Sequence, residues 1–305
     1  MKLPRLILPF VFAVSVFNSQ ADERSLSPSG NAETIGFSVI HTAKSAGAQE
    51  AMVVSSGSWW TRRQLVQTAV LIQHPNGDVM IDTGLGINID KQFEDNGFLD
   101  SQLFKYEELY PAATQFKDNE YDWTRLNRIV PTHLHWDHAS GLEDFPDIPV
   151  WVQEREYEEA THGKPPAHLP SQFASSRIAW HFFEMSDQPY AGFAKSLDIY
   201  GDGSIVLVDL SGHSAGQVGI FLTVSSGKRY FFIGDTTWTL KGVEDNASRP
   251  GFLNWMVKID YNEAQNSSQI ENIHDLKVRD DRVTIVPAHD EIVMAKLPRY
   301  PEFEF

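Results

Sequence analysis

The sequence contains no cysteine. That excludes disulfide staples, thiolate metal ligands and a cysteine nucleophile, so any transition metal must sit on nitrogen and oxygen. Apolar runs of bilayer length are missing too. The longest candidate lies near the N-terminus, and it falls short of the roughly 20 residues a spanning helix needs. Cations are scarce: 25 Lys and Arg face 41 Asp and Glu, a formal charge of −16. Such a surface repels phosphate backbones, which disfavours nucleic acid as partner or substrate. Internal repeats, low-complexity stretches and a Gly-rich phosphate turn between strand and helix are also lacking. The 305 residues suit one large domain or two small ones, and a 42% hydrophobic content is ample for a core.

The N-terminus differs from the rest. Residues 1–21 carry Lys2 and Arg5, then a short apolar stretch from Leu6 to Val14, then Asn18-Ser19-Gln20-Ala21. A basic head, apolar middle and small-residue exit form a secretory signal peptide, with a retained anchor as the alternative. The expectation is an exported protein, periplasmic in a bacterium, without stable membrane insertion after cleavage. Losing Lys2 and Arg5, with no acid in 1–21, takes the charge from −16 to −18. Residues 22–33 read as a polar, flexible lead-in, and 34–305 as the working domain.

Strand-like segments follow at Ile35–Thr42 and Met52–Val54. Thr68–Gln73 and Asp78–Asp82 flank His74-Pro75-Asn76-Gly77, a hairpin signal. Residues 88–125 read as mixed and mostly helical. Asn127–Thr132 and Ile148–Val152 read as strands, and Gln153–Ala160 as a helix. Residues 161–200 are rich in proline and aromatics and read as an insertion lying over something. Ser204–Leu210, Val218–Val224, Arg229–Ile233 and Val283–Pro287 read as strands, and Asn262–Val278 as a helix. Polar residues of interest sit just after strands, where chain ends converge on a site.

The densest chemistry lies in His133-Leu134-His135-Trp136-Asp137-His138. If the strand persists, His133 and His135 leave the same face. Imidazole and carboxylate suit zinc, iron, manganese or cobalt. One local cluster rarely completes two coordination shells, so further ligands must come from elsewhere. His213, Asp235 and His289 each follow a strand, and Asp82 ends another. Singly, such residues are ordinary turn formers or hydrogen-bonded histidines; together they form a metal-ligand set.

Thr132 to Gly141, with Asp82, His213, Asp235 and His289 in order, resembles the metallo-β-lactamase fold superfamily over about residues 35–292. The resemblance implies an α/β fold, an αβ/βα four-layer sandwich of two mixed β-sheets with helices outside. It implies two divalent metal ions, zinc above manganese, cobalt or iron. His133, His135 and His213 would hold one; Asp137, His138 and His289 the other; Asp235 would bridge both. Asp82 would orient the ligands. Asp137 and Asp235 would be catalytic, moving a proton to the leaving oxygen after attack by a water activated between the ions.

Within that superfamily, a bridging aspartate and the absence of cysteine disfavour β-lactamase. Sixteen residues after His289 are too few for the helical extension of glyoxalase II enzymes. Gly212-His213-Ser214-Ala215-Gly216-Gln217 resembles the lactonase-like branch, which holds N-acyl homoserine lactonases and related organophosphate hydrolases. The implied reaction opens a lactone or ester. Phosphotriester or aryl-ester hydrolysis is the alternative, and a mononuclear iron persulfide dioxygenase is the alternative of another class. The implied partner is a small neutral substrate with an apolar portion; a homodimer is left open. Trp59, Trp60, Trp180, Phe182, Phe183 and Trp238 are the aromatics expected to line an acyl pocket. Many homoserine lactonases carry a substrate-facing tyrosine shortly after the bridging aspartate, where this chain has Trp238.

Overall fold

A computed structural model describes residues 35–305. The expected signal peptide, 1–21, and lead-in, 22–33, lie outside the described residues. No helix among the described residues is long and apolar enough to cross a membrane.

The first half supplies β1 (Gly36–Ser45), β2 (Ala48–Gln49), β3 (Arg62–Arg63), β4 (Val66–Gln73), β5 (Asp78–Ile81), β6 (Tyr106–Glu107), β7 (Leu126–Val130), β8 (Pro149–Val152) and β9 (Ala179–Phe182). Seven of these form one mixed sheet in the order β6-β1-β4-β5-β7-β8-β9, while β2 and β3 pair separately. The second half supplies β10 (Ser196–Asp198), β11 (Ile205–Asp209), β12 (Val218–Thr223), β13 (Arg229–Phe232) and β14 (Val283–Val286), a mixed sheet in that order.

Period-two alternation sorts the strand residues into layers. Along β4, Val70 and Ile72 face the second sheet and pack with Leu207, Ile220 and Phe232. Ala69 and Leu71 face the other way, onto Ala112, Ala113 and Phe116 of the helix Ala112–Asp118. Across the second sheet, Val208, Phe221 and Ile285 bury Ile273 and Leu276 of the helix Glu263–Arg279. Helix, sheet, sheet and helix thus stack as four layers, with central strands such as β5 and β12 buried on both faces.

Three local expectations change. Met52 and Val53 lie in the helix Glu50–Val53 rather than a strand. A short apolar run has no period to separate the two states, and Glu50 favours a helix start. Residues 161–200 are not simply an overlying insertion: they contain the edge strands β9 and β10, one in each sheet. The strand before the histidine cluster stops at Val130, so His133 and His135 project from a loop.

That loop lies where the two sheets meet. Val218 N–H, opening β12, donates to Thr132 O at 2.8 Å. Strand ends from both sheets therefore deliver their next residues to one edge of the sandwich.

Candidate metal centre

The loop after β7 carries His133 and His135, and the short helix Trp136–Ala139 carries Asp137 and His138. His213 follows β11, Asp235 follows β13, and His289 follows β14. Gly212, with φ +145°, lets the His213 loop pass the helix Glu263–Arg279; a Cβ there would fall 2.5 Å from Asn266 N.

These seven side chains meet. Ligand atoms of His133, His135 and His213 lie within 4.8 Å of one another, as do those of Asp137, His138 and His289. Asp235 Oδ1 stands 3.3 Å from His138 Nε2 and 3.0 Å from His289 Nε2, and Oδ2 is 3.6 Å from His213 Nε2. His133, His138, His213, Asp235 and His289 are all at least 97% buried.

The outer nitrogens decide which way the inner ones point. His213 Nδ1 is 2.8 Å from Asp260 Oδ1, His138 Nδ1 is 2.9 Å from Asp82 Oδ2, and His289 Nδ1 is 2.7 Å from Val66 O. His133 Nδ1 lies 3.1 Å from Thr132 Oγ1, whose own proton is directed at Asp82. Carboxylates and carbonyls only accept, so each Nδ1 carries the proton and each Nε2 presents a lone pair. His133 Nε2 and His213 Nε2 are buried with no hydrogen-bond partner. His138 Nε2 and His289 Nε2 face each other at 3.2 Å, where two lone pairs repel unless a cation or proton intervenes. Buried orphan nitrogens converging on a shared carboxylate fit a divalent metal ion.

Electrostatics divides the two groups. Burial, reinforced by neighbouring imidazoles, holds His133 and His135 well below the ordinary histidine range. Burial and Arg249 lower His213. In the second group burial is outweighed: Asp82 and Asp235 raise His138 well above its usual value, and Asp235 and Asp137 raise His289. Against its own burial, Asp235 is held well below the carboxylate range by His289 and His138. The carboxylates around His138 and His289 thus favour positive charge there, for which a proton and a metal ion would compete.

Asp82 sits at φ 53°, in the left-handed region, directly after β5. Its carboxylate accepts from Thr132 N at 2.6 Å and lies 2.9 Å from His138 Nδ1. One strained residue thus fixes the histidine loop and a histidine ring together.

Several residues at the site escaped the sequence reading. Glu156, in the helix Glu154–His162, is 1% exposed. It accepts from Leu134 N at 2.7 Å, Ser214 Oγ at 2.6 Å and Gly216 N at 2.7 Å. It therefore fastens the His133/His135 loop to the His213 loop. Asp260 and Arg249 form a further support: Arg249 Nη1 is 2.6 Å from Asp260 Oδ1, and Arg249 also donates to the Asp235 carbonyl. A glutamate inside a polar helix and an aspartate in a turn carry no local signal of such roles; only the long-range packing shows them.

Beside these residues opens a cavity of about 250 Å³, lined by His135, Asp137, His213, Asp235 and His289. Its remaining wall is largely apolar, from Met52, Val53, Leu65, Leu103, Phe104, Trp136, Leu253, Met256, Val257 and Ile259. Of the six aromatics expected there, Trp238 lines the cavity. The other five do not. Trp59 and Trp60 are 60% and 97% exposed in a loop. Trp180 and Phe182 alternate onto Tyr157, with ring centroids 5.0 and 5.2 Å away, and Phe183 enters the core between the sheets. The edge-strand position of β9 sends these side chains to the sheet faces, away from the metal-facing edge.

A four-layer sandwich with a histidine–aspartate cluster at its sheet edge defines a metal-dependent enzyme class. The Metallo-beta-lactamase superfamily model matches residues 62–289, and the chain belongs to that family. Among curated relatives, the N-acyl homoserine lactonase AttM of Rhizobium radiobacter is 26% identical over 240 residues, covering 76% of this chain and 85% of its own. A probable metallo-hydrolase of Mycobacterium tuberculosis is 28% identical over 240 residues, covering 72% and 73%. Among solved structures, an N-acyl homoserine lactone hydrolase, with N-hexanoyl-L-homoserine bound at its catalytic metal center, superposes with a TM-score of 0.67. It is 18% identical and covers 89% of this chain and 99% of that one.

Proposed function

We propose that this chain is a dinuclear metal hydrolase, zinc being the favoured ion, that opens the ester bond of lactones bearing an apolar chain. The convergence of Nε2 atoms from His133, His138, His213 and His289 on Asp235, those of His133 and His213 without a hydrogen-bond partner, carries this reading. In it, His133, His135 and His213 would hold one ion, Asp137, His138 and His289 would hold the other, and Asp235 would serve both. When bound, such ions acidify water and polarise a carbonyl oxygen.

The remaining work falls to the chain. Asp82, Asp260 and the Val66 carbonyl hold the imidazoles in the tautomer that presents Nε2. Asp137 is less buried than Asp235 and lies on the cavity wall, so its carboxylate can take a proton and return it to the leaving alkoxide oxygen. The wall from Leu103, Phe104, Leu253 and Met256 binds an alkyl or acyl portion and excludes water. The lactonase names of AttM and the superposed hydrolase support the lactone assignment. Export through residues 1–21 remains part of the proposal, checked by N-terminal sequencing of the secreted chain.

The test is a substrate panel on metal-loaded protein: acyl homoserine lactones, simple lactones, aryl esters and phosphotriesters. Fastest turnover is expected on lactones with medium or long acyl chains. Absence of hydrolysis throughout, or hydrolysis unchanged in Asp235→Asn, would remove the assignment.

A further inference from the structure

Trp238 comes three residues after Asp235, in the turn that leaves β13. Its indole Nε1–H donates to Asp235 Oδ2 at 2.8 Å. The ring face lies under the guanidinium of Arg249, 4.9 Å from the centroid. Arg249 also grips the Asp235 backbone carbonyl and pairs with Asp260 at 2.6 Å. The Asp235 side chain and backbone are therefore held from one direction by a single aromatic–guanidinium unit.

The orientation matters because the two oxygens of Asp235 face different sets of partners. Oδ1 is 3.3 Å from His138 Nε2, Oδ2 is 3.6 Å from His213 Nε2, and His289 Nε2 lies near both, 3.0 Å from Oδ1 and 3.2 Å from Oδ2. A carboxylate torsion is broad, so packing alone leaves the plane of the carboxylate loosely set. A directional N–H bond to one oxygen sets it. Each carboxylate oxygen has two lone-pair directions, so Oδ2 can accept the indole proton and still face a cation.

We propose that Trp238 is a positioning residue for Asp235, fixing the carboxylate plane so that one aspartate serves both ligand groups. This rests on the reading of Asp235 as the shared ligand. A corollary follows for the cavity that Trp238 lines: its one polar hydrogen is committed to Asp235, so the ring meets substrate as an apolar wall.

The test reads metal before turnover. Trp238→Phe keeps an aromatic ring and removes the donor. Chelator competition should show about tenfold weaker binding of metal in the variant, the scale expected when an outer hydrogen bond to a ligand is lost. The visible spectrum of the cobalt-loaded protein should change, and kcat should fall while KM holds. Two equivalents bound with unchanged affinity and spectrum would overturn the role of Trp238 and leave the two-metal reading standing. A wild-type chain that takes up no metal would sink both. A second measurement needs no variant. In ¹⁵N-tryptophan-labelled wild type, the Trp238 indole proton should resist exchange with water and shift when metal is added. Rapid exchange with no shift would also overturn the proposal.

Discussion

The two histidine groups that meet at Asp235 are built differently. His133 and His135 are held low by burial and neighbouring imidazoles, His213 by burial and Arg249, and their loops are fastened by Glu156. His138 and His289 sit among carboxylates that favour the charged ring. The first group is a ready set of lone pairs. The second lies in a field that favours positive charge. The contrast teaches that imidazoles of one cluster can be tuned apart through the charge that surrounds each ring.

Asp235 is common to both groups, so its loss should have the largest effect. Asp235→Asn removes the shared charge; kcat/KM on the best lactone should fall on the order of 10³-fold. Metal analysis should show fewer than two equivalents. Glu156→Ala acts mainly on the first group. It leaves the Leu134 and Gly216 amides and the Ser214 hydroxyl without their buried acceptor, a cost on the order of 3 kcal/mol. Calorimetry should record a melting point lower by several degrees, with first-group affinity reduced more than second-group affinity.

Acidification should separate the groups in the opposite sense. His138 and His289 have folded pKa values raised above the ordinary 6.5. In metal-free protein they contribute stability that is present below that value and lost as pH rises through the raised ones. Metal competes with those protons. Its stabilising effect should therefore grow between about pH 6 and pH 8, read as the difference in melting point with and without metal. Equal metal stabilisation across that range would erase the distinction between the groups. The smallest effect belongs to Trp60→Ala. At 97% exposure, outside the cavity, its loss should leave kcat/KM unchanged and stability within about 0.5 kcal/mol. A marked rise in KM would instead bring the loop of Trp59 and Trp60 into the substrate path.

That these histidines and aspartates converge is legible in the sequence because they follow apolar strands, and strand ends of one sandwich gather at one edge. The strands themselves were readable from their β-branched runs, as in Ile205–Asp209 and Val218–Thr223. The supports were not. Glu156 is polar on a polar helix, and its burial depends on two loops nearly 60 and more than 20 residues away. The cavity wall was misjudged for a related reason. Trp180, Phe182 and Phe183 looked like a pocket by composition, but their faces are set by the alternation of β9. Leu103, Leu253 and Met256 reach the cavity from short helices with no strong pattern of their own, and Phe104 from the residue that ends one.

The central claim is that two metal ions, held by these seven residues, are needed for lactone opening. Metal-stripped protein should be titrated with zinc while acyl homoserine lactone hydrolysis is followed by proton release. Activity that climbs to a maximum at two equivalents per chain, and vanishes again on chelation, is the predicted result. Activity complete at one equivalent, or indifferent to chelation, would contradict it.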